Sequence, residues 1–374
     1  MTVKKNKRPT TSHKVTNKNN RNKIILMILI PIMIIILAGV TYGAKLYAEA
    51  KKTVDDSYYA LDRDKVASKN KDVKINPIED TISVLVMGID DDSVRQLGSA
   101  RTDALIYLTI NPKEHKINMV SIPRDSYTPI ISDKYSGKDK INAAYAYGEE
   151  QATIETVENL LNVPINYYVT FNFESFLEIV DALGGVDVDV PVTFTDTNTL
   201  GNGEIHLEKG KQLLNGEEAL ALARTRHIDN DIKRGERQQL ILQAIVDKAM
   251  NVGSINKYSD VIKAAGKNMR TNLKFNEMLS IAQTGLDGKY TFNSYVFDWT
   301  DFELDGASMV ELYQDSIDFI SHRFRVSLGL DEPNEQDGAD YQFVTNGYSQ
   351  YKSSGSSTSW SNSNNNDSST NNDW

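Results

Sequence analysis

Ser83-Val84-Leu85-Val86-Met87-Gly88-Ile89-Asp90-Asp91-Asp92 reads as an apolar strand, Ile82 to Met87 at its core, that runs straight into three carboxylates. Strands of this kind favour a sheet with buried faces, and in open α/β sheets ligands gather beyond the carboxyl ends of the strands. Asp90 therefore marks a candidate site. A second acid, Asp103, follows Arg101 where the next strand begins. Carboxylates from adjacent strand ends can share one Mg2+ or Mn2+, with substrate phosphate completing the shell. Asp90 to Asp92 also fits a solvated turn, and Asp103 a strand cap; spacing alone leaves both readings open.

Further along, Ser121-Ile122-Pro123-Arg124-Asp125-Ser126 again ends an apolar strand, and Lys140-Ile141-Asn142-Ala143-Ala144-Tyr145 follows it. Arg124 and Lys140 can face an anion together, while Arg124 beside Asp125 can equally be a structural ion pair. Ala223-Arg224-Thr225-Arg226 places two arginines at strand spacing, and Arg234, Arg237 and Gln238 follow at helical spacing around a helix start. Ile241 and Ile245 continue that helix face, so one surface is cationic at its N-terminal end and greasy farther along. Guanidinium forks beside the free amides of a helix N-terminus suit phosphate oxygens, and the apolar continuation suits a lipid. A solvated basic face over an ordinary core stripe is the plain alternative. Asp196-Thr197-Asn198 with Gly201 hints at a calcium loop, but Leu200 and Leu207 stand where oxygen ligands are required, leaving a polar loop.

Around these motifs the hydrophobic pattern alternates between strand-like and helix-like stretches. Strands are expected at Ile82 to Met87, Ala104 to Ile110, Ile117 to Ile122, Tyr167 to Phe171 and Val186 to Val190. Helices are expected at Gln151 to Leu161, Phe173 to Leu183, Glu217 to Leu222, Glu236 to Met250, Ser259 to Ala265, Asn276 to Thr284 and Ala307 to Ser321. The expected fold is one α/β domain over residues 78–330, a mixed β-sheet core covered by helices on both faces.

The flanks read differently. Ile24 to Ala44 is free of charge and long enough to cross ~30 Å of hydrocarbon, and Pro31 is tolerable there. Lys4, Lys5, Lys7, Arg8, Lys14, Lys18, Arg21 and Lys23 precede it with no acid among them, which by the positive-inside rule keeps residues 1–23 in the cytoplasm. The expectation is one transmembrane helix at 24–44, a signal-anchor, with a stalk at 45–77 and the domain on the extracellular side. A cleaved signal peptide fits less well, since its apolar region should span only ~7–15 residues. Residues 331–374 form a Ser- and Asn-rich tail too polar to order itself. Removing the eight leading cations leaves 33 basic residues against 51 acidic ones, a surface that repels nucleic acid. The absence of cysteine excludes disulfides, thiolate metal sites and a cysteine nucleophile, and fits a Gram-positive envelope.

In order, Gly88-Ile89-Asp90, Arg101-Thr102-Asp103, Ser121 to Asp125, Lys140 to Tyr145, Val180-Asp181-Ala182-Leu183-Gly184-Gly185-Val186 and Arg224-Thr225-Arg226 through Arg237-Gln238-Gln239 resemble the LytR-CpsA-Psr (LCP) family. The resemblance runs from about Thr81 to Met250. It implies a phosphotransferase that moves a glycopolymer, wall teichoic acid, capsule or similar, from a polyprenyl pyrophosphate carrier to peptidoglycan, forming a phosphodiester. By motif matching, Asp90 and Asp103 hold Mg2+ or Mn2+. Arg101, Arg124, Arg224, Arg226, Arg234 and Gln238 grip the pyrophosphate, with Lys140, Asn142 and Arg237 nearby, and Asp125 orients Arg124. Two departures stand out: Glu149 occupies the place of a second glycine often found after the Tyr-Gly motif, and Asp90 begins a longer acidic run. Hydrolysis of the lipid pyrophosphate and a non-enzymatic regulatory role are the alternatives.

Overall fold

β1 (Ile82–Ile89) is buried on both sides, with Leu85 and Met87 in one core and Ile82, Val84 and Val86 in another. Such a strand belongs in the middle of a sheet. It pairs antiparallel with β2 (Thr102–Asn111) and parallel with β6 (Tyr167–Asn172). β2 pairs antiparallel with β3 (Lys116–Ser121), β3 parallel with β12 (Thr291–Tyr295), and β6 antiparallel with β11 (Met269–Thr271). The result is a mixed six-stranded sheet in the order β11-β6-β1-β2-β3-β12. The C-terminal ends of β1, β3, β6 and β12 and the start of β2 share one edge.

The structure is a computed structural model that describes residues 41–61, 76–90, 100–225, 228, 231–250, 261–264, 266 and 269–334. Its contacts divide the chain after Glu49. In the second unit, helices cover both sheet faces. Ile154, Val157 and Leu161 of α2 (Ala143–Leu161) and Ile317, Ile320 and Phe324 of α7 (Gln314–Ser327) close one core. Leu242, Val246 and Met250 of α5 (Asp231–Met250) and Met278 and Ile281 of α6 (Phe275–Asp287) lie against the other face. A third core joins α5 to α3 (Phe173–Ala182), α4 (Gly216–Arg224), β7 (Val186–Val190), β8 (Phe194–Thr197), β9 (Glu204–Leu207) and β10 (Gly210–Leu214). Two hairpins complete the domain: β4 (Tyr127–Ser132) with β5 (Tyr135–Lys140), and β13 (Trp299–Leu304) with β14 (Ala307–Leu312).

Several expectations are corrected. No helix among the described residues is long and apolar enough to cross a membrane, so the expected transmembrane helix and the single-pass placement built on it are not found there. Of Ile24–Ala44 only residues 41–44 are described, and they begin α1 (residues 41–57). That helix carries charge, with Lys51 Nζ 2.6 Å from Asp55, while its Ala50 and Val54 are buried with Phe275, so residues 50–57 are part of the domain and no stalk. Residues 1–40 and 335–374 lie outside the described residues.

Ala307 to Ser321 is not one helix. Asp305 (φ 51°) and Gly306 (φ 79°) form a two-residue turn between paired Leu304 and Ala307. Positive φ at both positions is the hairpin geometry that Asp-Gly favours, so the helix starts only at Gln314. Arg224 ends helix α4 instead of lying on a strand, and Asp196-Thr197 belongs to the β8–β9 hairpin. α2 begins eight residues earlier than expected, with non-helical Gly148 and Glu149 inside it. Of Ser259 to Ala265, only residues 261–264 are described, as helix.

Candidate functional site

The shared strand edge holds a bulge. Gly88 faces Ala104 and Ile89 faces Thr102, so Asp103 is the extra residue between them. A bulge of this kind re-aims a side chain. The Asp103 carboxylate accepts a 2.5 Å bond from Nη1 of Arg124, and the Asp103 carbonyl accepts from Gln238 Nε2 at 3.4 Å. On the neighbouring strand end, the Asp90 amide donates to the Arg101 carbonyl at 3.1 Å.

Beyond β3 the chain turns at Pro123, whose carbonyl accepts from the Ser126 amide. Ile141 and Asn142 donate their amides to the Ser126 and Arg124 carbonyls, which carries Lys140 to the same place. Lys140 Nζ lies 2.8 Å from one oxygen of Asp125 and Arg124 Nε 3.6 Å from the other. The ion-pair reading of Arg124 therefore holds. Asp103, Arg124, Asp125 and Lys140 form a row of alternating charge, each about one-fifth exposed. Partial burial weakens solvent screening, so the two acids fix the cations in place.

The rest of the site follows from how α5 meets α4. The last carbonyls of a helix lack intrahelical partners and attract cations. Arg237, only 3% exposed, donates from Nε to the Leu222 carbonyl (3.0 Å) and from Nη2 to the Thr225 carbonyl (2.6 Å). Gln238 reaches the Ala223 carbonyl at 3.4 Å and accepts from Ser121 Oγ at 3.5 Å. Gly235 makes this approach feasible, since a Cβ there would stand 2.8 Å from Ser121 Oγ. Arg224, at the end of the capped helix, donates to the Thr197 carbonyl.

Between the sheet and α3, α4 and α5 lies a cavity of about 290 Å³. Its walls include Val86, Ile106, Val169, Phe171, Phe173, Phe176, Ile179, Leu220, Ile241, Leu242 and Ile245; its polar lining residues are Asp103, Arg224, Arg234 and Gln238. A smaller cleft, lined by Ser121, Pro123 and Gly235, shares Asp103, Arg234 and Gln238 with it. Those three residues therefore stand where the apolar chamber meets the smaller cleft. Arg234 is 3% exposed.

Of the expected site residues, the structure gathers Asp103, Arg124, Asp125, Lys140, Arg224, Arg234 and Gln238, with Ile241 and Ile245 in the cavity wall. Asp90 and exposed Arg101 flank this group at the strand ends. Asn142 caps α2 with a buried Oδ1 that has no hydrogen-bond partner. Arg237 turns to backbone carbonyls, and Arg226 lies outside the described residues. The aromatic half of the chamber, Phe171, Phe173 and Phe176, was missed; its signal was an apolar strand running directly into an apolar helix start.

No group of three or more His, Cys, Asp or Glu gathers to hold a metal among the described residues. Asp90 and Asp103 stand at adjacent strand ends, and the Asp103 carboxylate is bonded to Arg124.

The chain matches the model of the LytR_cpsA_psr family over residues 44–325. It belongs to that family. Among LytR_cpsA_psr relatives, the polyisoprenyl-teichoic acid--peptidoglycan teichoic acid transferase TagU of Bacillus subtilis is 36% identical over 318 residues, covering 83% of this chain and 99% of TagU. The solved structure of TagT bound to LIIa-WTA is 32% identical, with a TM-score of 0.60, covering 72% of this chain and 99% of TagT. A second structure, the family protein YwtF (TagT) with bound octaprenyl pyrophosphate lipid, is 30% identical with a TM-score of 0.56, covering 72% and 99%.

Proposed function

We propose that the chain transfers a glycopolymer from a polyprenyl pyrophosphate carrier to a hydroxyl of peptidoglycan, leaving a phosphodiester. One observation carries the reading: an apolar chamber shares Asp103, Arg234 and Gln238 with a smaller neighbouring cleft, and Arg224 lies in its wall. A polyprenyl chain fills the chamber, and its pyrophosphate lies at the boundary against Arg124, Arg224 and Arg234. The peptidoglycan hydroxyl attacks the phosphorus bearing the glycan, giving up its proton to solvent base. A new P–O bond forms as the bond to the lipid phosphate breaks, and polyprenyl phosphate leaves with the electron pair.

Phosphoryl transfer asks chiefly for in-line positioning and for neutralisation of oxygen charge. Arg124 serves both, because Asp103 and Asp125 hold it on two sides. Asp90 and Asp103 are the groups that would hold Mg2+ or Mn2+, which would supply further positive charge for phosphoryl transfer. Asp125 also holds Lys140. Relatives named as teichoic acid transferases support teichoic acid as the polymer.

Incubating the purified chain with a lipid-linked glycan and peptidoglycan tests the reading. Transfer should release polyprenyl phosphate one for one with attached glycan, and Arg124→Ala should reduce it at least a hundredfold with the fold retained. Attachment at an unchanged rate by Arg124→Ala would refute it.

A further inference from the structure

On the sheet face opposite the lipid chamber, the β4–β5 hairpin leans on α2, with the Ile131 amide donating to Thr156 Oγ1. Tyr135 of the hairpin and Tyr147 of α2 stack there, their ring centroids 4.2 Å apart and their planes 11° apart. Each is pinned. Tyr135 donates its hydroxyl to the Lys138 carbonyl, and Tyr147 donates its own to Asp139 at 2.9 Å. The Tyr147 carbonyl accepts from Ser132 Oγ at 3.2 Å. Both rings remain partly exposed.

Arg101 at the strand edge acts on the Tyr147 hydroxyl, which ties this pair to the site. Asp139 precedes Lys140, which bonds Asp125 beside Arg124. Immediately after Tyr147 the backbone is contorted: Glu149 holds φ 52° and ψ −140° inside α2, where L-residues are rarely found. Backbone strain of this kind accumulates where a side chain must be held for a purpose. Glu149 is secured by Arg270 at 3.1 Å, so the corner carrying Tyr147 is braced.

We propose that the stacked Tyr135–Tyr147 pair with Asp139 is the subsite for a pyranose ring of the acceptor glycan. The ring surface that this pinned pair leaves exposed matches the apolar face of a sugar ring, and a carboxylate at its rim accepts from sugar hydroxyls. Direction selects the acceptor. In-line displacement brings the incoming hydroxyl from the side opposite the leaving group, and the leaving lipid phosphate belongs to the chamber on the α5 side of the sheet. The donor's own glycan hangs from the same phosphorus and is the other source of such a ring. Burial, and then the hydrogen bond and charge of Asp139, push the Tyr147 hydroxyl above its ordinary pKa, although Arg101 opposes this; the ring stays neutral and the hydroxyl a donor.

The assignment rests on the transferase reading, and direct binding separates the two. Soluble peptidoglycan oligosaccharide is titrated calorimetrically into the full chain, Tyr147→Ala and Tyr147→Trp, and transfer is followed in parallel against acceptor and donor concentration. Tyr147→Ala should weaken oligosaccharide binding about tenfold or more, a change of ~1.4 kcal/mol, and Tyr147→Trp should restore it. In transfer, the half-saturating acceptor concentration should rise while that of the donor holds. Equal binding by the unaltered chain and Tyr147→Ala would overturn the proposal, as would a shift confined to the donor. Tyr147-dependent binding with no transfer by any form would uphold the subsite and sink the transferase reading.

Discussion

Replacing Arg237 by Met separates an arginine that builds the site from those that serve it. The guanidinium is 3% exposed and donates at 3.0 and 2.6 Å to carbonyls at the end of α4. Met keeps most of the aliphatic stem but removes both bonds. Hydrogen bonds from a charged donor contribute about 1.5–3 kcal/mol each, and orphaned buried carbonyls add a desolvation cost. The expected loss is about 3–5 kcal/mol, read by urea denaturation; at about 2–4 °C per kcal/mol the Tm should fall by roughly 6–20 °C. Because the capped helix ends at Arg224, transfer activity should decline with the fold, and osmolyte that restores folding should restore much of it. Unchanged stability with abolished transfer would refute the reasoning and return Arg237 to direct contact with phosphate.

Glu149→Gly should stabilise the protein modestly. Relief of a backbone conformation costing about 1–3 kcal/mol exceeds the loss of a surface ion pair worth about 0–1 kcal/mol and the glycine entropy of about 0.5–1 kcal/mol. A fall in denaturation midpoint would show that the corner is unstrained. Asp331→Asn should flatten the acid limb of the stability profile: the Arg325 guanidinium, bonded through Nε and Nη2 at 2.8 Å each, holds the Asp331 carboxyl below its ordinary pKa. That contribution is present above the unfolded value of about 4 and is lost as pH falls through the lower folded value. Identical acid limbs for the two proteins would contradict it.

Four strands of the central sheet, β1, β2, β3 and β6, were legible because they carry their burial in their own residues, and β7, outside that sheet, was found over Val186–Val190. What failed depends on partners far along the chain. Ala307 to Leu312 has apolar spacing compatible with a helix, and pairing with Trp299–Leu304 decides otherwise; the Asp305-Gly306 turn signal just before it was missed. The site shows the same division. The family resemblance placed Asp103, Arg124, Arg234 and Gln238 in one neighbourhood, but no spacing reveals that Arg237, one residue before Gln238, turns to the carbonyls of another helix. The bulge that makes Asp103 the odd residue arises only from the register of two strands.

The most direct test of the chamber as a lipid site is mass spectrometry of lipids extracted from the purified chain and from Ile245→Trp, whose indole would fill the cavity that Ile245 lines. The unaltered chain should yield polyprenyl phosphate or pyrophosphate, and the variant, folded to the same Tm, should yield little. Equal recovery from both proteins, or none from a chain that is active in transfer, would contradict the account.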